Sequence, residues 1–118
     1  MSGPSFDRRV FRSTAAETGA GSSYPVGYYH QDGDLVWAEF SGGAVRVGRL
    51  VGHRSPEGTL SAGYVQLLAG DRLVSGTVVT TASRLPDGRL RLREEWQRGD
   101  GSTGVSYLDE ITAPDRSL

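Results

Sequence analysis

The stretch LPDGRLRLREEWQRGDG, residues 85–101, reads as one β-strand between two glycine turns. The segments 86–88 and 99–101 supply the proline and glycine that tight turns need. Between them, successive side chains of a strand point to opposite faces. One face is mostly apolar and comprises Leu90, Leu92, Glu94 and Trp96. The other face carries arginines, a glutamate and a glutamine, so the pattern predicts a half-buried strand with Glu94 on its drier side.

The same rhythm of turn and strand continues along the chain. Further turn signals lie at 32–33, 42–43, 56–58 and 70–71. The segments between the turns are rich in Val, Leu, Thr, Tyr and Trp, which favour strands. No segment has the apolar spacing and capping signals of a helix. The sequence therefore predicts essentially no helix and eight strands, at 9–13, 27–31, 34–41, 44–54, 59–68, 72–85, 89–98 and 102–112.

Eight short strands joined by tight turns predict an all-β, eight-stranded antiparallel up-and-down β-barrel of the lipocalin-like type. An open meander would leave two long edges, which closure removes, so a barrel is favoured over a two-sheet sandwich. Glycines inside the strands, which permit strong coiling, agree with a small barrel. At 118 residues the chain is expected to form a single domain, 1–118. The glycine-rich segment 13–27 is either a surface loop or a flexible lid, and 113–118 is expected to be a frayed tail.

Composition excludes several classes of function. The formal net charge is −1, which argues against nucleic acid and membrane partners, and the chain has no cysteine for disulfides or thiolate sites. The opening residues lack the apolar region of a signal peptide, so we expect a soluble cytoplasmic protein. The two histidines lie on separate strands without ligand spacing, so we expect no metal and no cofactor. A homodimer is possible.

An eight-stranded barrel has room inside for packed side chains or one small ligand, so the inward positions decide the function. For strand 59–68 the expected inward residues are Leu60, Ala62, Tyr64, Gln66 and Leu68. For strand 72–85 they are Val74, Gly76, Val78, Thr80 and Ala82. The inward face of 34–41 is left open between two sets, Leu35/Trp37/Glu39 and Val36/Ala38/Phe40. Strand 102–112 is equally undecided.

Two residues are candidate acid–base catalysts. A carboxyl group beside Leu92 and Trp96 would be poorly solvated, which raises the pKa of Glu94 toward neutrality. The alternative is a polar plug, with Glu94 neutralised by an inward Arg49 or hydrogen-bonded to Tyr64. His30 could shuttle a proton, since histidine titrates near physiological pH, or it is simply a residue at the end of a strand.

The remaining candidates are expected to bind a ligand in the lumen. They are Tyr28, Trp37, Glu39, Arg49, Tyr64, Gln66, Trp96 and Tyr107. A mostly apolar wall with a few polar groups is typical of a small-molecule pocket, here for a small apolar or aromatic ligand. Two functions fit: a cyclase or isomerase that positions a natural-product-like substrate and protonates it through Glu94, or a non-catalytic lipocalin-like protein that holds a hydrophobic ligand.

Three stretches carry a family resemblance: YYHQDGDLVWAEFSGGAVRVGRLVG (28–52), LPDGRLRLREEWQ (85–97) and GVSYLDEI (104–111). Together they resemble a family of small bacterial β-barrel proteins, calycin-like in fold, that carry the name N-acetylglutamate synthase. The acetyltransferase activity implied by that name is not expected, because the chain has no glycine-rich turn leading into a helix that could bind acetyl-CoA. At the level of fold the chain is also similar to small β-barrel cyclases of actinobacterial natural-product pathways. One departure from the family is Arg98, where an aromatic residue is common.

Overall fold

The computed structural model describes residues 3–15, 19–21 and 23–112. Within these ranges the chain forms eight strands and no helix. The strands are β1 (Val10–Ser13), β2 (Val26–Asp32), β3 (Leu35–Gly42), β4 (Val45–Arg54), β5 (Leu60–Leu68), β6 (Arg72–Arg84), β7 (Leu90–Arg98) and β8 (Thr103–Ile111). The predicted strand ends agree with these within one residue. No helix in the described part of the chain is long and apolar enough to span a membrane.

The strands close into one antiparallel barrel in chain order. Each strand pairs with the next, and β1 pairs with β8, with Val10 opposite Ile111 and Ser13 opposite Leu108. The predicted eight-stranded up-and-down barrel is therefore confirmed. Closure leaves no free sheet edge, which is the physical reason that a meander of this length is stable against edge-to-edge association.

Ion pairs reinforce the seam where β1 meets β8. Two hydrogen bonds of 3.0 and 2.9 Å run from the Arg9 guanidinium to the Glu110 carboxylate. The same carboxylate accepts a 3.0 Å bond from the backbone N–H of Leu90. On the outer surface Arg91 binds Asp109 at 2.6 and 3.0 Å. These contacts link the first and last strands to β7 and fix the register of closure.

The burial pattern confirms the predicted inward faces of β5, β6 and β7. Leu60, Thr80 and Leu92 are fully buried, and the residues that alternate with them are mostly exposed. The two undecided strands are also settled. On β3 the inward set is Val36, Ala38 and Phe40. On β8 it is Ser106, Leu108 and Glu110.

The end of the barrel where β1 begins is closed by the preceding segment. Phe6 is fully buried, and its ring packs edge-to-face on Tyr29 with centroids 6.2 Å apart. Its backbone N–H donates a 2.9 Å hydrogen bond to the side-chain oxygen of Gln31. The Arg54 guanidinium carbon lies 4.6 Å from the centroid of the Phe6 ring. This apolar plug fills the lower lumen, so any cavity must lie at the opposite end.

Two predicted segments lie partly or wholly outside the described residues. The proposed lid, 13–27, includes residues 16–18 and 22, which the structure does not describe, and the predicted tail, 113–118, is undescribed throughout. Of the lid, Ser13 ends β1, and Ala20 and Ser23 form a small antiparallel bridge. The gating role of this segment and the single-domain boundaries stay predictions.

A tight contact between glycine and an aromatic ring helps to shape the barrel wall. A methyl group at Gly48 would overlap the ring of Phe40, whereas one at Gly63 would meet only the Gly76 carbonyl oxygen, at 3.8 Å. We predict that Gly48→Ala lowers the free energy of unfolding by about 1–3 kcal/mol through overpacking. The control Gly63→Ala should leave it unchanged or raise it by about 0.4–1 kcal/mol. Urea denaturation followed by circular dichroism measures both, and equal effects would contradict the role of the Phe40 contact.

Candidate functional site

A cavity occupies the upper lumen, at the end of the barrel opposite Phe6. Its volume is about 100 Å³, and its lining includes Ser13 and Pro25. Its walls combine apolar side chains with several polar ones, which is the usual composition of a ligand pocket. The apolar part of the wall includes Phe40, Leu50, Val78 and Trp96. The polar part includes Tyr29, Tyr64, Gln66, Glu94 and Arg98.

Trp96 forms one wall because the facing strand has no side chain in its way. Trp96 pairs with Gly104 on β8, and a methyl group at that glycine would overlap the indole ring. The ring can therefore lie against the β8 backbone. Its Nε1–H donates a 3.0 Å hydrogen bond to the Ser106 hydroxyl, which satisfies the polar atom of the indole. The indole is thus held in one orientation at the cavity wall.

Glu94 lines the cavity without a partner. Its carboxylate makes no hydrogen bond or ion pair with any residue in the described ranges, and its direct neighbours across the sheet are Thr80 on β6 and Ser106 on β8. Burial raises the pKa of Glu94 to about 7, because the charged form has lost much of its water. Near neutral pH the group is therefore present both as an acid that can donate a hydrogen bond and as a base that can accept a proton.

The two alternative explanations for Glu94 do not hold. Arg49 lies on the outer surface of β4 and donates a 2.8 Å hydrogen bond to the Gly48 carbonyl, so it cannot neutralise a lumenal charge. Tyr64 shares the cavity but is not hydrogen-bonded to Glu94. The polar-plug interpretation is corrected because the strand period places Arg49 outside.

Burial and the charge of Glu94 both raise the pKa of two tyrosines, Tyr29 and Tyr64. Burial raises the pKa of Tyr29, and the negative charge of Glu94 raises it further. Burial also raises the pKa of Tyr64, while a hydrogen bond from Arg98 opposes the rise. Both phenols therefore stay protonated at neutral pH, and both can donate hydrogen bonds into the cavity.

Gln66 is the second polar group without a protein partner. It is 7% exposed and lines the cavity, yet its amide makes no hydrogen bond to a side chain or backbone group in the described residues. Its amide atoms are not among the fully buried unpaired atoms, so they can be reached from the cavity. Thr80, deeper in the barrel, also has a buried hydroxyl oxygen without a partner. The upper lumen thus contains more hydrogen-bonding capacity than the protein itself uses.

Six of the predicted site residues lie on the outer surface and not in the lumen. They are Tyr28, His30, Trp37, Glu39, Arg49 and Tyr107. On β2 the inward residue is Tyr29, so the alternation of side chains places its two neighbours outside. Their assignment to a lumenal site, including a catalytic role for His30 there, is therefore wrong.

Three of these outer residues form a small surface cluster. The Nε2 atom of His30 lies 2.9 Å from a carboxylate oxygen of Glu39, and the imidazole stacks on Trp37 with ring centroids 5.4 Å apart. The histidine and the glutamate are each about one-third exposed. The cluster explains why β3 was ambiguous from sequence: an outward tryptophan made its polar face look as apolar as its inward one.

The structure brings together four predicted residues: Tyr64, Gln66, Glu94 and Trp96. Sequence reasoning missed Tyr29, Phe40, Ser106 and Arg98 as cavity residues. On β2 the consecutive rings of Tyr28, Tyr29 and His30 show no alternation of polar and apolar residues, so the inward face could not be chosen. The parity that placed Trp96 inward would have found Arg98, which is two positions further along the same strand. Among the described residues, no group of three or more histidines and carboxylates could hold a metal ion.

Comparison with known proteins gives one match. Residues 4–111 match the model of a family described as avidin-like protein, which covers all eight strands. No curated protein and no solved structure matches the chain. The match supports a small calycin-type β-barrel family and does not confirm the name N-acetylglutamate synthase. Because the match extends over most of the sequence and agrees with the closed barrel, the chain belongs to the avidin-like protein family.

Proposed function

We propose that this protein binds a small molecule in its upper lumen. The observation that carries the proposal is the pair of polar side chains, Gln66 and Glu94, that face a cavity without protein partners. A folded chain tolerates such groups where something else satisfies them, because unsatisfied buried polar groups are rare. Membership of an avidin-like barrel family supports the same conclusion.

The size of the cavity limits the ligand. Its volume is about 100 Å³, whereas an apolar protein cavity of ~150 Å³ holds benzene. The cavity is therefore too small to enclose a whole benzene ring, so only part of a small ring or a short branched chain enters it, and the rest projects through the mouth. Trp96 on β7 and Phe40 on β3 line the cavity from opposite sides of the barrel. A long polyene does not fit this space.

The polar groups define the kind of ligand edge that is recognised. The Gln66 amide offers both a donor and an acceptor, and Glu94 offers either, depending on its protonation. With a pKa of about 7, Glu94 can match a ligand carbonyl as an acid or a ligand N–H as a base. We infer a ligand that presents a carbonyl or amide edge to these two side chains.

The role of Gln66 can be tested through opposite effects on stability and binding. We expect Gln66→Leu to leave the free energy of unfolding unchanged or to raise it, because the amide makes no hydrogen bond within the described residues that the change would remove. The same change should weaken binding of small cyclic amides such as 2-pyrrolidone by about fivefold or more, as expected for the loss of one hydrogen bond of ~1 kcal/mol. Fluorescence titration of Trp96 in a Trp37→Phe background reports the lumen alone, since Trp37 is the outward tryptophan.

The matched control for this test is Gln97→Leu, on the outer face of β7. It should change neither binding nor the fluorescence response. A set of cyclic amides that leaves Trp96 emission unchanged, together with a Gln66→Leu protein that is destabilised, would contradict the proposed binding site and make Gln66 a structural residue.

A second function, isomerisation of a small carbonyl compound, is favoured by Glu94. A carboxyl group with a pKa near the operating pH is suited to removing and returning a proton. The carboxylate would take a proton from the carbon beside a carbonyl, and the resulting acid would return it to another carbon of the same molecule. The cavity size favours isomerisation over cyclisation of a long substrate. Acetyl transfer is not part of this proposal, and the homodimer and the cytoplasmic location stay predictions.

The elementary proton transfer can be measured without the natural substrate. We expect the protein to catalyse exchange of the α-protons of cyclopentanone in D₂O, followed by proton NMR, at a rate that increases as pH rises through about 7 and the carboxylate forms. Glu94→Gln should lower the rate by about 10²–10⁴-fold. Glu95→Gln, on the outer face, is the control. Exchange that is equal in wild type and Glu94→Gln would refute the catalytic role and leave binding alone.

A further inference from the structure

Arg98 stands at the mouth of the cavity with its guanidinium turned inward. It is the last residue of β7 and has the same parity as Glu94 and Trp96. Its guanidinium carbon lies 5.0 Å from the centroid of the Trp96 ring, and the residue lines the cavity. Because Trp96 is two residues below it on the same face, the side chain folds back toward the lumen. The guanidinium therefore lies over the cavity.

The hydrogen-bonding capacity of this guanidinium is only partly used. Its Nε–H is buried and has no acceptor in the structure. Among the described residues, Arg98 acts on the Tyr64 hydroxyl, where its hydrogen bonding and its charge oppose the rise in pKa that burial causes. An arginine has five N–H donors in a fixed planar fork, so most of the fork is free to bind another group.

No carboxylate of the described residues pairs with Arg98. The nearby acidic side chain, Asp100, instead accepts hydrogen bonds of 2.9 Å from the Ser102 N–H and 2.6 Å from its hydroxyl. Other arginines of the chain differ, since Arg9 and Arg91 each bind a carboxylate in ion-pair geometry. Arg98 is therefore a partly buried cation, stacked on an aromatic ring, that makes no direct ion pair with the residues that the structure describes. Asp100 acts on it only through the longer-range attraction of its charge.

We propose that Arg98 binds the carboxylate of the ligand, so that the molecules recognised are small carboxylic acids. This proposal rests on the proposed function and names the class of its ligand. A carboxylate can accept two parallel hydrogen bonds from the two terminal nitrogens of a guanidinium, whose planar fork matches its two oxygens. The terminal nitrogens are the donors available to a ligand, because the Nε atom of Arg98 is fully buried. The body of the acid would lie against Trp96, with its far end toward Gln66 and Glu94.

The orientation of the bound acid follows from the distance between Glu94 and Arg98 along β7. Glu94 and Arg98 are four residues apart on one face, about 13 Å at the usual rise per residue. Because the Arg98 guanidinium lies over Trp96, it is two residues nearer to Glu94 than its own backbone is. The distance between the two functional groups is therefore shorter than ~13 Å by roughly 7 Å. An acid with a single ring or a short chain spans that interval. A molecule with its negative charge at the deep end would meet Glu94 and would be disfavoured.

Matched acid and amide probes test the proposal. Benzoate and benzamide have nearly the same shape and differ in charge, and titration of Trp96 fluorescence in the Trp37→Phe protein gives a dissociation constant for each. We expect benzoate to bind at least about tenfold more tightly than benzamide, equivalent to about 1.4 kcal/mol. Arg98→Gln should remove this preference and leave benzamide binding nearly unchanged. Arg98→Lys, which keeps the charge and loses the fork, should give an intermediate affinity.

The control Arg93→Gln, on the outer face of the same strand, should bind both probes as the parent protein does. Circular dichroism establishes that each variant folds. If benzamide binds, benzoate is no tighter and Arg98→Gln changes neither, the carboxylate site is refuted and lumenal binding stands. If neither probe changes Trp96 emission at millimolar concentration, while cyclic amides do, the acid class is likewise refuted. If no small ring compound binds at all, the proposed function itself is contradicted.

Discussion

Burial of Leu90 and Leu92 is the constraint that places Glu94 inside the barrel. Both leucines are fully buried, and the period of a strand is two, so the next residues of that parity must also face inward. A slip of one residue would move the leucines to solvent and the arginines of β7 into the core. Because β1 and β8 close the sheet into a barrel, an inward side chain of β7 faces the lumen. The core that stabilises the barrel therefore also fixes its most unusual polar group.

The two ends of the barrel differ in how completely their arginine side chains are hydrogen-bonded. At the lower end Arg54 covers the buried ring of Phe6 and donates hydrogen bonds to Gln31 and to the Gly58 carbonyl. At the upper end Arg98 covers Trp96 and keeps a buried N–H without an acceptor. An arginine thus stacks on an aromatic ring at both ends. At the plugged end it donates hydrogen bonds to other residues, and at the open end its Nε–H has no acceptor among the described residues. That difference supports the proposal that a ligand binds at the upper end.

The fold could be predicted from sequence because turns and alternation are local signals. Glycine turns set the strand ends, and on β7 the two faces differ so strongly in polarity that the inward side is unambiguous. On β2 and β3 the signal failed, because His30 and Trp37 stack on the outer surface and their strands are not clearly amphipathic. Arg98 was not assigned to the site because an arginine at the end of a strand normally reaches solvent. Its inward path depends on the position of Trp96, which is a tertiary contact.

The pH dependence of stability tests the central claim, an uncharged and unpaired Glu94 carboxyl in the lumen. A pKa raised from 4.5 to about 7 stabilises the fold below pH 4.5, and this contribution is lost as pH rises through about 7. The free energy of unfolding, measured in urea, should therefore fall by about 2–3 kcal/mol over that interval in wild type, since each pKa unit is worth ~1.4 kcal/mol and the side chain is only half-buried. Glu94→Gln should show no such fall, whereas Glu95→Gln should follow wild type. A wild-type stability that rises over the same interval, or a Glu94→Gln protein with the same fall, would contradict the account.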